Sequence, residues 1–539
     1  MQSIDLLLKN GHIFDGTGAE AFMGDIGIAG ERIAIITHTS DKNIDPVRVI
    51  NLDGLSVAPG FIDVHAHSDF ALLADPRAEG KISQGITTEI NGNCGLSAAP
   101  LVGEASNRRE EDIRDLGIRD RWSSFGEYFA ILQQKKPALN VATLAGQGNI
   151  RASVIGYEAR EPDRQEMDQM KELLTGSIES GAIGLSTGLV YAPGIFATTE
   201  ELIDLCSVLK GSLCAGSRHA SRRSLYTSHM RSEGDRLIEA VRETICIGMK
   251  AQVPVHISHF KTSGKENWHK ISEAVDLIRV AQDQGVQVTC DRYPYTASST
   301  DLDAILPDWT QEGGAEALIG RLKIPDVRKK IKDEMGAKHP ETDYWENIYI
   351  ASVHSPKNRW MEGKNIADIA RMQGESPLET TLEILAAEKL KVSGIFNCMS
   401  EDNLRKILAL PYSVVGTDSS ARCSDGPTYR GKPHPRGYGS FSRFLGKYVR
   451  DESLMSVSEA IRKITMVPAR IFHISQRGIL KEGAYADLVV FNADTIIDGA
   501  TYEEPFRKSE GIILVIVNGR VVCQEGRLTK ERPGKILKH

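Results

Sequence analysis

The chain has 539 residues, a formal net charge of −7 and a mean hydropathy of −0.25. That length exceeds one ordinary domain and suits a large barrel with a satellite. Lysines and arginines dispersed under a net negative charge argue against a nucleic-acid footprint, and no apolar run approaches the ~20 residues of a membrane span. Eight cysteines, at 94, 206, 214, 246, 290, 398, 423 and 523, form no paired framework. With an N-terminus lacking a basic start and a cleavage site, they predict free thiols in a reducing cytoplasm.

Residues 1–56 read as short strands joined by tight turns, with hairpin signals at Asn10-Gly11 and Gly30-Glu31. The tail repeats the pattern in ADLVVFNAD and IILVIVNGRVVCQEG, where Asn518-Gly519 makes the turn. Two all-β ends around a different middle predict one small β-sandwich domain formed from both termini, segments 1–56 and 476–539. Between them, apolar β-type runs recur at 57–67, 86–94, 140–147, 182–189, 225–231, 254–261, 286–293 and 413–418. Helical patterns separate them, for example at 163–180, 234–248 and 267–285. Strands alternating with helices in this way predict an α/β fold, a parallel (β/α)8 TIM barrel over 57–475. The interval from Tyr295 to Tyr412 is too long for an ordinary loop. Part of it, around 300–355, is expected to form a lid-like insertion over the barrel mouth.

In such a barrel the reactive groups collect at the C-terminal ends of the strands. The first run ends in His65-Ala66-His67, and an i, i+2 spacing on a strand puts both imidazoles on one face. Later runs end in Cys94, His229, the pair His256 and His259, and Asp418. Each has an ordinary alternative: a solvated strand end, a small buried thiol, a core histidine at 256, a helix cap at 418. Together, imidazole, thiolate and carboxylate at successive strand ends are zinc's ligand chemistry and predict a metal site.

These residues stand in longer motifs: GNCG at 92–95, HMRSEGD at 229–235, HISHFK at 256–261, DRYPYTASST at 291–300 and PHPRGYG at 433–439. The strand-one H-x-H, the histidines on strands five and six and the strand-eight Asp resemble the amidohydrolase superfamily. The motifs resemble its N-acyl-D-amino-acid deacylases, or D-aminoacylases, over nearly the whole chain. The resemblance implies a distorted barrel that hydrolyses an N-acyl-D-amino acid to a carboxylate and a free D-amino acid. It also implies one tight zinc held by Cys94, His229 and His259, with His65 and His67 forming a second, weak or empty site. Many superfamily members bridge two metals with a carboxylated lysine at the end of strand four. Here strand four, GAIGLSTGLVYAPG, has no lysine. The thiolate of Cys94 is anionic and soft enough to take that position, but one thiolate compensates two divalent ions poorly.

Asp418 is then the expected general base and acid, taking a proton from the attacking water and returning it to the leaving amine. The product carries an α-carboxylate, so a cationic clamp is expected from Lys261, Arg292 and Arg436, since a guanidinium grips a carboxylate through two bonds. The resemblance adds Tyr191 to the substrate contacts, and the D preference rests on the resemblance alone. The segment 419–432 is longer than the family's, and Cys423 within it has no assigned role. GLSTG at 184–188 matches the serine nucleophile-elbow pattern, but extended chain rather than helix follows Ser186. Cys94 as a nucleophile, a non-catalytic metal-binding barrel, a hydantoinase- or dihydroorotase-like cyclic-amide hydrolase and a D-specific dipeptidase are the other readings. The expected partner is a small-molecule N-acyl amino acid, with neither nucleic acid nor membrane.

Overall fold

The structure, a computed structural model, describes residues 4–38, 46–211, 224–339 and 343–538. Cys214, counted above among the free thiols, lies outside them. Eight segments line up as parallel barrel strands in two arcs. Phe61–Asp63, Ile86–Asn91 and Asn140–Thr143 make the first arc. Ala145–Gly146, Gly184–Gly188, Leu225–His229, Val255–Ile257, Val288–Arg292 and Ser413–Val415 make the second. The third barrel segment serves both arcs, breaking at Leu144, whose N–H donates to Asn91 O at 2.9 Å. The circle closes where Ala66 bridges Ser419 and Asp418 N–H donates to His65 O at 2.8 Å. The barrel strands are almost entirely buried, as parallel strands covered by helices must be.

The run 57–67 does not form one barrel strand. Ser56–Pro59 pairs with Ile4–Ile13 and Leu488–Phe491 in a different sheet, and only Phe61–Asp63 enters the barrel. Gly60 permits the crossover, because a Cβ there would lie 2.1 Å from Thr87 Oγ1 on the neighbouring strand. His65 and His67 therefore follow the strand rather than end it, although their rings remain adjacent with centroids 5.2 Å apart. The other sheet has nine strands drawn from both ends of the chain, with its own apolar core around Leu8, Ile13, Ile28, Val57, Val490 and Ile516.

Helices on the barrel's outside start and stop where local chemistry directs. Arg164–Ser180 opens with a reciprocal cap between Asp163 and Glu166 and ends at Gly181, whose φ of 119° lets the chain turn away. Between the last two barrel strands, Ala297–Asp301, Val392–Asn397 and Ile348–Val353 form a separate antiparallel sheet. Because Ala297–Asp301 pairs with a strand beyond residue 355, this unit spans more chain than 300–355. It carries an independent apolar core that includes Leu302, Leu318, Trp345, Ile366 and Leu382. Among the described residues no helix is long and apolar enough to cross a membrane.

Candidate metal centre and active site

Three residues at the barrel mouth hold left-handed backbone: Cys94 at φ 54°, His259 at 37° and Asp418 at 49°. Non-glycine residues adopt this region at a cost of about 1–3 kcal/mol each, so neighbouring hydrogen bonds must hold them there. Beside Cys94, Gly95 N–H donates to Ser186 Oγ at 3.0 Å, while the same hydroxyl donates to Gly92 O. His259 N–H donates to Asp291 Oδ1 at 3.0 Å. Ser186 is thus a buried brace of the cysteine loop and not an exposed nucleophile. A Cβ on Gly188 would sit 2.1 Å from Cys94 O, so glycine alone lets the fourth strand approach that loop.

These turns bring the donor atoms together. Cys94 Sγ lies 3.3 Å from His65 Nε2 and 3.4 Å from His259 Nε2. His259 Nε2 is 2.9 Å from His229 Nδ1, and Asp418 Oδ1 is 3.5 Å from His65 Nε2 and 3.1 Å from His67 Nε2. Donors of His65, Cys94, His259 and Asp418 lie within 4.8 Å of one another, as do those of His229, Glu233 and His259. Ligands bonded at about 2.0–2.3 Å around a tetrahedral zinc stand roughly 3.3–3.8 Å apart, so Cys94 with His65 and with His259 matches that ion in chemistry and spacing, while His259 and His229 stand closer than two zinc-bound nitrogens would. His259 belongs to both groups.

Electrostatics favour the ligating form of the sulfur. Burial alone would raise the Cys94 thiol, but the rings of His65 and His259 hold it well below the usual range. Burial also opposes ionisation of Asp418, which Arg436, His65 and His259 outweigh, keeping the carboxylate charged. Asp291 is charged for the same kind of reason: against burial, His65 and His256 pull it down. Its Oδ2 is 3.1 Å from both His65 Nδ1 and His256 Nε2. His256 therefore stands behind the ligand set, its other nitrogen 2.8 Å from Thr289 Oγ1.

The cations expected to form a clamp lie close to these groups, and two of them are already paired with carboxylates. Lys261 Nζ forms an ion pair with Glu233 Oε1 and lies 2.7 Å from His259 Nδ1. Arg436 Nη1 is 2.9 Å from Asp418 Oδ2 without the alignment of a hydrogen bond, and Nη2 donates to Ser299 O at 3.1 Å. Arg292, 1% exposed, donates through Nη2 to Tyr295 O at 2.7 Å, while its Nε and Nη1 have no partner. The guanidinium carbons of Arg292 and Arg436 lie 4.1 and 4.6 Å from the centre of the Tyr293 ring, whose hydroxyl is also unpartnered. Tyr191 packs against His229, ring centroids 5.1 Å apart, and its hydroxyl pairs with Thr300 Oγ1 at 2.8 Å. Sequence reasoning missed Glu233, Asp291 and Lys81. The first two stand inside the motifs HMRSEGD and DRYPYTASST, whose charges without an obvious task were the available signal; Lys81 carries none.

The amidohydrolase family pattern matches residues 48–523. An N-acyl-D-glutamate deacylase of Alcaligenes xylosoxydans xylosoxydans is 35% identical, the alignment covering 100% of this chain and 97% of the relative. A D-aminoacylase of the same organism is also 35% identical, covering 99% and 98%. The crystal structure of an N-acyl-D-glutamate deacylase from Bordetella bronchiseptica, complexed with zinc and a phosphonate mimic of the tetrahedral intermediate, superposes with a TM-score of 0.82. It is 34% identical and covers 100% of both chains.

Proposed function

The chain belongs to the amidohydrolase family, and on that premise we propose that it is a zinc-dependent hydrolase of N-acyl-D-amino acids, releasing a carboxylate and a free D-amino acid. The observation that carries this reading is the convergence of the Cys94, His65, His259 and Asp418 donors within 4.8 Å at the mouth of the barrel. Cys94, His229 and His259 would hold the tight zinc, with His65 and His67 offering a second, weaker position. Zinc in such a site polarises an amide carbonyl and lowers the pKa of a water toward ~7. Asp418 takes the proton of the attacking water and returns it to the departing amine nitrogen. Its ion pair with Arg436 would suppress that basicity, so Arg436 must turn from Asp418 to the substrate carboxylate before the step. Arg292 supports the clamp reading most directly, because a fully buried guanidinium with two unpartnered nitrogens demands an anion. Tyr191 and Lys261 complete the substrate contacts. A cytoplasmic location is supported by the seven described cysteines, all free.

The test is amine release from paired N-acetyl-D- and N-acetyl-L-amino acids by zinc-loaded protein, with and without a chelator. Turnover confined to D-isomers, lost on chelation and restored by zinc, is expected. Activity that survives chelation would instead favour Cys94 as a nucleophile.

A further inference from the structure

Resting on that reading of His259 as a ligand and Lys261 as a clamp, one carboxylate is left without a task. Glu233 leaves the fifth strand's loop, its backbone fixed by Ser263 N–H donating to Glu233 O at 2.7 Å. Its Oε1 lies 2.8 Å from His259 Nδ1 and also pairs with Lys261 Nζ. The ammonium itself is 2.7 Å from the same ring nitrogen. All three groups are buried or nearly so, with side-chain exposures of 2% for His259, 4% for Lys261 and 15% for Glu233.

This triangle poses a choice about one proton. A neutral imidazole carries a single N–H. If Lys261 donates to Nδ1, the ring proton must sit on Nε2, the atom facing Cys94 at 3.4 Å and His229 at 2.9 Å, and Nε2 has no lone pair for a metal. If Nδ1–H donates to Glu233, Nε2 is free to ligate. A carboxylate beside the far nitrogen of a ligating histidine fixes ring orientation and raises ligand basicity. We propose that Glu233 is a positioning residue: by accepting from both Nδ1–H and the Lys261 ammonium, it biases His259 toward the Nδ1–H form although that ammonium lies 2.7 Å from the same nitrogen. The lysine and the histidine are two residues apart in the loop after Val255–Ile257, so without a carboxylate beside both they would contend for the same bond. Glu233 thereby lets a cation for the substrate sit directly behind a ligand for the metal.

The experiment measures zinc affinity by chelator competition on the purified full chain. E233A should bind zinc about 10–100-fold more weakly, the loss typical for an outer partner of a ligand. E233Q retains an amide oxygen that accepts from Nδ1–H and should stay within about threefold of the parent. K261M should also stay within about threefold, and E233A/K261M should regain at least about threefold over E233A, because the competing donor is gone. Parental zinc affinity in E233A overturns the proposal, as does an E233Q loss equal to that of E233A, or no recovery in the double variant. H259A is the control on the premise: if it retains parental zinc affinity, the ligand reading fails, independently of Glu233.

Discussion

Lys81 ties the barrel closure together from a fully buried position, its side chain 0% exposed to solvent. Its ammonium donates to Asp63 Oδ2 and Thr417 Oγ1, each at 2.6 Å, and to Ser419 O at 2.8 Å, and stands 3.6 Å from Glu89 Oε2. Asp63 in turn accepts Thr417 N–H at 2.8 Å and His65 N–H at 3.2 Å. One cation therefore ties the first strand to the residues on either side of Asp418. In K81M the buried carboxylates of Asp63 and Glu89 lose the one cation paired with them among the described residues, and breaking a buried pair from one side costs about 3–5 kcal/mol. Unfolding a chain of 539 residues carries an entropy of roughly 1.1 kcal/mol/K, so a cooperative melt should fall by about 3–4 °C. Burial already holds the Glu89 carboxyl above its ordinary value. Without Lys81 it rises further, and a raised folded-state value adds stability at low pH that is lost as pH climbs through it. The deficit of K81M against the parent should thus be smaller at pH 5 than at pH 8. Differential scanning calorimetry at both pH values, with kcat measured alongside, checks this. A melt within 1 °C of the parent at pH 8, with kcat unchanged, would refute the claim that Lys81 organises the closure.

D418N, which removes the proposed general base, should lower kcat by about 100-fold or more while zinc stays bound; retained turnover refutes the role. C94A should lose more than about 100-fold in zinc affinity, since removing a ligand must cost more than removing a partner behind one, and metal analysis after gel filtration reads it. Lys463 is buried, its ammonium donating to Leu410 O, and burial pushes it down to about 8 from 10.5. A depressed ammonium favours the fold above its unfolded value and withdraws that benefit as pH falls through 8, a difference of about 3 kcal/mol. K463M should therefore be more stable than the parent at pH 7 by up to about 3 kcal/mol, the gain shrinking toward pH 10.5. Urea unfolding at pH 7 and 10 measures it, and a gain that does not depend on pH would argue against a charged, buried Lys463.

The strand runs, their alternation with helices and the placement of zinc-type residues at strand ends were all legible in the sequence, because each depends on side-chain type and local period. Cys94, His229, His259 and Asp418, whose side chains the fold brings together, were named that way, and so were Lys261, Arg292 and Arg436 beside them. Local pattern has no access to partners. Val57 and Phe61 stand in one apolar run, yet they belong to different sheets, since period alone does not say which edge a strand will meet. Lys261 reads as a free cation until Glu233 is folded against it, and Arg436 until Asp418 is. Lys81 and Thr417 are 336 residues apart, and nothing local in either marks the bond between them. Charge and hydrogen-bonding type are properties of a residue, but pairing is set by which strand ends the closed barrel brings within about 3 Å, and that only the tertiary structure decided.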